Sequence, residues 1–400
     1  MKKNKKNYYL GVSHGIFYFA AMGLVDYATI LPTFLKYLIN SNVLIGFVAA
    51  IARGGTILFQ LVSAAYLEGK KKKPILVYAL WVRFFSWILI AASSYILLPH
   101  HKITELVIFV TLISIFSFAG GVSVVPFYDI ITHNIPSHML GKFWATRQFI
   151  GGILAVGSGY IVKIIMQNIA YPNNYTILFF LASLVFGLCF LSLGLMDEGE
   201  IKQKKNASFR EFLSSAVLIL KTNKDFLTMV ISEFLSHAIF MCMPFIVIYA
   251  TYKLGLSKSD IGYFISAQMV GSILSNIFWG YYADKKGPKF IIISTNILAL
   301  SVPFLSIFIK SPSLFIVVFF LLGSYMHGSF IGYTNYMLNI APEDKRPTFV
   351  SIRGTFNALS YFLPTIGGFI VDKFSYHYLF ISTSVLAFVG LLYALRLKSN

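Results

Sequence analysis

Long apolar segments separated by short polar connectors follow one another along the whole chain. Each is about twenty residues or longer, which is the length that an α-helix needs to cross the hydrocarbon core of a bilayer. We predict twelve such segments, which we number span 1 to span 12, at 11–37, 43–66, 74–97, 104–131, 142–167, 175–196, 225–253, 259–282, 290–310, 313–340, 347–372 and 376–396. The pattern therefore predicts an all-α polytopic membrane protein with twelve transmembrane helices.

The order of polar residues repeats near half the length of the chain. A basic turn after span 2 recurs after span 8, and the acids that begin its two copies, Glu68 and Asp284, are 216 positions apart. Arg147 in span 5 recurs 206 positions later as Arg353 in span 11. We therefore predict two pseudo-symmetric bundles of six helices. Carriers built from such repeats usually bind substrate between the copies, near the bilayer midplane.

One charged connector divides the two predicted bundles. Residues 197–224 begin with a run of charges and continue with apolar residues at helical spacing, which predicts an amphipathic helix on the membrane surface. The predicted domains are an N-terminal half at 1–196, this linker at 197–224 and a C-terminal half at 225–400. Paired glycines within the spans, for example at 367–368, predict close contacts between helices.

Composition and charge indicate a membrane protein rather than a nucleic-acid-binding one. The chain is 57% hydrophobic and 12% charged, whereas soluble domains are about a quarter charged. The net charge is +18, but 24 basic residues lie on one side of the predicted membrane and 7 on the other. We call these the basic side and the opposite side. The excess predicts that the basic side and both termini are cytoplasmic, and that the basic residues attract lipid headgroups. We expect no nucleic-acid partner.

The start of the chain resembles a signal peptide, because lysines precede an apolar run. No small-residue cleavage site follows, and the run is long enough to span, so we expect it to be span 1. The frequent use of Lys, Asn and Ile suggests an AT-rich bacterial genome. We therefore expect a multi-pass protein of the cytoplasmic (inner) membrane of a bacterium.

The turn between spans 8 and 9 has a specific sequence. Residues 280–289, which read GYYADKKGPK, resemble the signature loop of the major facilitator superfamily of secondary transporters. The copy between spans 2 and 3 departs from that signature at Ala64, Glu68 and Lys71. The resemblance implies the twelve-helix fold of that superfamily and identifies neither a subfamily nor a substrate.

The resemblance also implies a cytoplasmic gate. In the superfamily, the signature acid pairs with an arginine of the other half and holds the cytoplasmic side shut. Here Glu68 would pair with Arg353, and Asp284 with Arg147. The expected gate residues are therefore Glu68, Asp284, Arg147, Arg353, Lys73 and Lys289. Alternatively, these charges anchor the turns to lipid headgroups and have no role in gating.

Ionisable residues inside the spans are candidates for function, because each costs several kcal/mol in hydrocarbon. Asp26 in span 1 and Arg53 in span 2 are at similar depths, about 15 Å from the opposite side at 1.5 Å per residue. They could form a buried ion pair whose acid takes up a proton during transport. The alternative is a permanent structural ion pair.

A second group of ionisable residues lies in spans 7 and 10. Glu233 and His237 are four positions apart and share a helix face, and His327 in span 10 is at a similar depth. Spans 1, 4, 7 and 10 line the cavity in the superfamily, which would bring these three residues together as a proton relay. Binding of a divalent metal or hydrogen bonding between helices are the alternatives.

Further residues are candidates for the substrate cavity. Polar residues that could contact substrate include Tyr333 and Asn335 in span 10. Aromatic residues that could border the cavity, and that would suit an amphipathic or aromatic solute, are Phe17, Tyr18, Tyr27, Phe127 and Tyr333. The chain has no nucleotide-binding fingerprint and no metalloprotease motif. We therefore expect no enzyme activity, catalytic residue, metal or cofactor.

These observations together predict a secondary active transporter for a small solute. We expect alternating access, coupling to protons through Asp26 or Glu233, and a monomer as the functional form. One alternative is an uncoupled facilitator of the same fold. Another is a membrane receptor or scaffold that does not transport.

Overall fold

The computed structural model describes residues 2–66, 72–98, 100–197 and 217–398. All regular secondary structure in these ranges is helical. The helices are Lys2–Leu24 and Ile30–Leu38 (span 1), Asn42–Tyr66 (span 2), Lys73–Leu97 (span 3), Lys102–Asn134 (span 4), Ser137–Asn168 (span 5), Asn173–Gly194 (span 6), Lys224–Ser236 and Ile239–Ile248 (span 7), Asp260–Phe308 (spans 8 and 9), Pro312–Ile340 (span 10), Arg346–Ser360 and Leu363–Lys373 (span 11), and Tyr376–Leu395 (span 12).

Nine helical segments of the described chain are long and apolar enough to cross a membrane. One of them, Asp260–Phe308, holds both span 8 and span 9, because the backbone turns at Gly287 with φ of 76°. Glycine adopts such an angle without the steric cost that a side chain brings. Spans 1 and 11 are each divided into two helices and complete the twelve. The prediction of an all-α polytopic membrane protein is confirmed.

Spans 1, 7 and 11 are interrupted part of the way across the membrane. Span 1 breaks between Leu24 and Ile30, and span 7 breaks between Ser236 and Ile239. The span 11 break follows Ser360. A broken helix leaves backbone groups without their usual partners, and such breaks are tolerated inside a membrane only where protein or a water-filled cavity surrounds them. Spans 1 and 7 are matching members of the two repeats, so both repeats carry a break at a matching place.

Two pairs of spans join the first six spans to the last six. Span 2 packs along span 11, and span 5 packs along span 8. The two contacts are related by the sequence repeat, because spans 8 and 11 are the second copies of spans 2 and 5. Gly46 and Gly368 make the first contact possible: a β-carbon at either would clash with a carbonyl oxygen of the other span. The close contact that the glycines at 367–368 predicted is therefore confirmed.

The connector between the two repeats lies largely outside the described residues. Residues 217–222 are helical, whereas most of the predicted amphipathic helix belongs to the part that the structure does not describe. The predicted domain boundaries at 196 and 225 stay a prediction.

Candidate functional site

The contacts between the two repeats concentrate toward the opposite side of the membrane. At the end of span 11, the carboxylate of Asp372 accepts hydrogen bonds from the backbone N–H groups of Asn42 (3.2 Å) and Val43 (3.0 Å). It also accepts one from the side-chain amide of Asn42 at 2.6 Å. These N–H groups are at the start of span 2. A carboxylate at a helix N-terminus accepts hydrogen bonds from N–H groups that have no partner within the helix, and it interacts favourably with the helix dipole. Asp372 thus fastens one repeat to the other.

The second inter-repeat contact, between spans 5 and 8, lies on the same side. The Ser266 hydroxyl donates to the carbonyl oxygen of Val156 at 3.0 Å. Nearby, the ammonium group of Lys258 lies 4.2 Å from the ring centroid of Tyr37 in span 1. Burial lowers the pKa of Lys258, because a desolvated ammonium group is less favourable than a hydrated one. These contacts close the opposite side.

Of the predicted gate pairs, the one between Asp284 and Arg147 is not formed in the described structure. Asp284 is exposed and lies more than 4 Å from Arg147, which instead contacts span 1. Arg353 is bonded within its own repeat, and Glu68 lies outside the described residues. Lys73 and Lys289 are half-buried. The gate therefore stays a prediction, and it would apply to a conformation in which the basic side is closed.

Glu233 and Arg353 form a buried ion pair between spans 7 and 11. The guanidinium group donates to the two carboxylate oxygens at 2.7 to 3.0 Å through Nε and Nη2. Nη1 donates to the hydroxyl of Thr334 at 2.8 Å, and the Asn357 amide donates to Glu233 at 3.2 Å. Glu233 is 1% exposed and Arg353 8% exposed. Bidentate hydrogen bonds between arginine and a carboxylate are among the stronger polar contacts in proteins.

The two histidines of the predicted relay have other partners. His237 follows the last residue of the helix Lys224–Ser236, and its Nδ1 lies 3.2 Å from the hydroxyl of Ser360 in span 11. His327 contacts the side-chain amide of Gln148 in span 5 at 2.7 Å. The structure therefore does not join Glu233, His237 and His327 in one chain of hydrogen bonds. The Gln148–His327 bond instead connects the two repeats near mid-membrane.

The two polar residues predicted in span 10 are in different settings. Tyr333 is fully buried, and its hydroxyl bonds with Ser232 and Asn296, both at 2.8 Å. It therefore lies in an interhelical network rather than at a cavity surface, since span 10 is wedged between spans 7 and 9 at this level. Asn335 is exposed, as a cavity-lining residue would be.

Asp26 and Arg53 do not form the predicted ion pair, because no carboxylate oxygen of Asp26 lies within 4 Å of that guanidinium. Asp26 Oδ1 accepts hydrogen bonds from the backbone N–H of Ala28 and the hydroxyl of Thr29, both at 2.9 Å. The carboxylate thereby stabilises the interruption of span 1. Arg53 lines a small cavity with Tyr361 of span 11. The structure thus favours a local structural role for Asp26.

Arg147 lies between spans 1, 4 and 5, where no acid of the described residues is within 4 Å of its guanidinium group. Its Nη2 lies 3.1 Å from Nδ1 of His14. Its guanidinium carbon is 5.2 Å from the ring centroid of Phe127 and 5.1 Å from that of Trp144. Phe127 was predicted to border the cavity. His14 was not among the candidate residues predicted from the sequence, although an ionisable residue within a span is itself a signal of function.

The described residues contain no group of three or more His, Cys, Asp or Glu side chains that could hold a metal ion. Glu233 and His237, the residues considered for a divalent metal, instead bond to Arg353 and Ser360.

Comparisons with known proteins agree with this architecture. Residues 229–399 match the family described as the Major Facilitator Superfamily. No curated protein matches the chain.

Two solved structures have the same fold over nearly the whole chain. One is a crystal structure of a point mutant of the nucleoside transporter NupG, with 12% sequence identity and a TM-score of 0.74. The other is described as "Crystal structure of a bacterial homologue of iron transporter ferroportin in inward-facing state", with 12% identity and a TM-score of 0.76. Each alignment covers 98% of this chain and 99% of the other. Residues 229–399 thus resemble the Major Facilitator Superfamily, and both repeats have the fold of these two solved transporters.

Proposed function

We propose that the protein is a secondary active transporter that carries a small solute by alternating access and couples its movement to protons through Glu233. The buried ion pair of Glu233 and Arg353 is the observation that carries the proposal. An acid that is removed from water and held by one arginine can exist in two states, paired as a carboxylate or released when protonated. Such intramembrane acids are typical of proton pathways in transporters.

The position of this pair supports a coupling role. Glu233 lies nine residues from the start of span 7, and Arg353 seven residues from the start of span 11. At 1.5 Å per residue they are about 10 to 14 Å from the basic side. Protonation of Glu233 would free the guanidinium group of Arg353 and remove the bond between spans 7 and 11. Proton binding would thereby change which conformation of the second repeat is favoured.

The arrangement of the two repeats supports alternating access. Contacts close the opposite side, and the predicted pair of Asp284 and Arg147 on the basic side is not formed, as expected of a carrier that is open toward the basic side. We propose that the repeats then rock about the midplane. The contacts of Asp372 would open as the Asp284–Arg147 and Glu68–Arg353 gate pairs form on the basic side. Arg353 would exchange Glu233 for Glu68 in this step.

Proteoliposomes with a pH-sensitive dye in the lumen test the proposal. Solutes are added outside, in a panel of organic anions, organic cations, sugars, a nucleoside and Fe²⁺, the last two being the classes named for the structural neighbours. We expect at least one solute to enter and to change the lumenal pH with the unaltered protein, and Glu233→Gln to abolish the pH change. Asp26→Asn is the matched control, because Asp26 bonds to its own backbone.

Each other outcome supports a different function. Solute uptake without any pH change would indicate an uncoupled facilitator. Binding of a solute without uptake would indicate a receptor or scaffold. Loss of the pH change in Asp26→Asn but not in Glu233→Gln would move the coupling role to Asp26.

A further inference from the structure

The first repeat holds three arginines inside the membrane, and two of them, Arg83 and Arg147, lie near His14 without an acid. No carboxylate of the described residues lies within 4 Å of the guanidinium group of Arg147 or of Arg83. Nε of each arginine is buried and has no hydrogen-bond partner in the described structure. Both arginines interact electrostatically with His14 and with the thiol of Cys189. This cluster of Arg83, His14 and Arg147 is therefore a region of uncompensated positive charge.

The two arginines differ in what they can reach. Arg83 is closed in, because its guanidinium carbon lies 4.4 Å from the ring centroid of Phe116 and 4.9 Å from that of Phe190. Arg147 is only partly buried. Its neighbour along span 5, Gln148, reaches across to His327 of the other repeat. Arg147 is therefore the more accessible of the two arginines, and Arg83 adds positive charge from inside the first repeat.

Span 1 is shaped to admit the side chain of Arg147. A β-carbon at Gly15 would overlap the Cγ, Cδ and Nε atoms of Arg147. Any larger residue at position 15 would therefore displace the arginine from its place beside His14. The guanidinium group is held over the gap at Gly15 and between the rings of Phe127 and Trp144.

We infer that Arg147 binds the carboxylate of the transported solute, and that this solute is a monocarboxylate with an aromatic or similarly flat apolar body. The inference rests on the proposed transport function and names its substrate class. A guanidinium group without an acid inside a membrane is costly, and a carboxylate ligand removes that cost by forming two parallel hydrogen bonds. The rings of Phe127 and Trp144 offer an apolar surface beside the charge.

The number of accessible hydrogen-bond donors in the pocket selects against anions with more than one charged group. One accessible guanidinium group balances one negative charge, and the enclosed Arg83 cannot bond to a second. A polyphosphate would bring several charges that the described residues of this pocket do not meet. An uncharged analogue of the same shape would leave Arg147 uncompensated.

Calorimetric titration of the full-length protein in detergent tests the inference, with benzoate as the probe and benzamide as its uncharged counterpart. We expect benzoate to bind at least about tenfold more tightly than benzamide, which is about 1.4 kcal/mol. Arg147→Gln should weaken benzoate binding at least tenfold and leave benzamide unchanged. Arg147→Lys should recover only part of the affinity, since an ammonium group lacks the planar fork. The matched control is Arg346→Gln, an exposed arginine of span 11, which should bind benzoate as the unaltered protein does.

A second variant distinguishes loss of the carboxylate contact from misfolding of Arg147→Gln. Gly15→Ala keeps Arg147 but displaces it, so it should weaken benzoate and spare benzamide. Equal binding of benzoate and benzamide, no binding of either, or full benzoate affinity in Arg147→Gln would each overturn the inference. The proposed function would survive these results if another solute of the panel still moved protons through Glu233. Failure of that assay with benzoate binding intact would overturn coupling alone.

Discussion

Arg147 and Arg353 are matching residues of the two repeats, yet their surroundings differ. Arg353 donates hydrogen bonds from Nε and Nη2 to the carboxylate of Glu233, and both residues are almost fully buried. Among the described residues, Arg147 bonds to the imidazole of His14 and contacts two aromatic rings, and its buried Nε has no hydrogen-bond partner. The partners come from matching spans, Glu233 from span 7 and His14 from span 1. The two repeats therefore share the arginine but differ in the residue that faces it.

This difference suits the two repeats to different steps of coupled transport, proton binding and solute binding. An arginine with a permanent acid has no free charge for a solute, but its acid can titrate. An arginine without an acid cannot couple protons, but it can receive an anion. The second repeat is therefore suited to the proton and the first to the solute, and the Gln148–His327 bond links them near the midplane.

The largest expected effect is on stability in the second repeat. Glu233→Ala leaves the guanidinium group of Arg353 buried and unpaired, which should lower the free energy of unfolding by about 3 to 5 kcal/mol. Arg147→Gln removes a cation that has no acid, so it should cost less than about 1 kcal/mol. Chemical unfolding in detergent, followed by circular dichroism, measures both.

The double variant Glu233→Ala/Arg353→Ala is the control for this comparison. It removes both charges, so it should recover part of the stability that Glu233→Ala loses. Equal losses in Glu233→Ala and Arg147→Gln would contradict the asymmetry between the repeats.

The next largest effect is expected from a substitution that gives the first repeat an acid like that of the second. His14→Glu places a carboxylate opposite Arg147, as Glu233 stands opposite Arg353. We expect the variant to unfold at a higher temperature and to bind benzoate at least about tenfold more weakly, because the new acid competes with the ligand. Calorimetric titration and a thermal scan measure both effects. His14→Gln, which adds no charge, should change benzoate affinity far less, and unchanged affinity in His14→Glu would contradict the assignment of Arg147.

A smaller effect is expected at the contact that closes the opposite side. Asp372→Ala removes the acceptor at the start of span 2, which should cost about 1 kcal/mol and favour opening of that side about fivefold. The rate at which a membrane-impermeant maleimide labels Ala49→Cys from that side measures the opening, since Ala49 is buried between the repeats. Both native cysteines are buried. Asp372→Asn keeps one acceptor oxygen and should label at an intermediate rate, whereas no difference among the three proteins would exclude Asp372 from gating.

The fold was predictable because the length and position of each apolar span can be read directly from the sequence. The partners of the charged residues were not, because two residues at the same depth need not be neighbours. Glu233 and His237 share a helix face in the sequence pattern, but the helix ends at Ser236 and turns His237 toward Ser360. The equal depths of Asp26 and Arg53 likewise gave no contact, because the break in span 1 offers the carboxylate two donors of its own.

Residues that act across the repeats were the hardest to find. Asp372 stood at the predicted end of span 11, where an acid looks like an ordinary boundary residue. Only the packing of span 11 on span 2 shows that it bonds to the N–H groups of Asn42 and Val43. Gly15 gave no signal of its own, since its importance depends on where the side chain of Arg147 lies.

The smallest expected effect is at the predicted gate of the basic side. Asp284 is exposed, so a bond that it forms with Arg147 in the closed conformation should be worth less than about 1 kcal/mol. Asp284→Asn should therefore disfavour closure of the basic side and slow the labelling of Ala49→Cys from the opposite side by less than about fivefold. Glu343→Gln, another exposed acid of the basic side, is the matched control and should leave the rate unchanged. The direction of each change in labelling rate is decisive. Loss of Asp372 should speed labelling and loss of Asp284 should slow it only if the two sides open in alternation. An unchanged rate in Asp284→Asn would leave the acid with the headgroup-anchoring role.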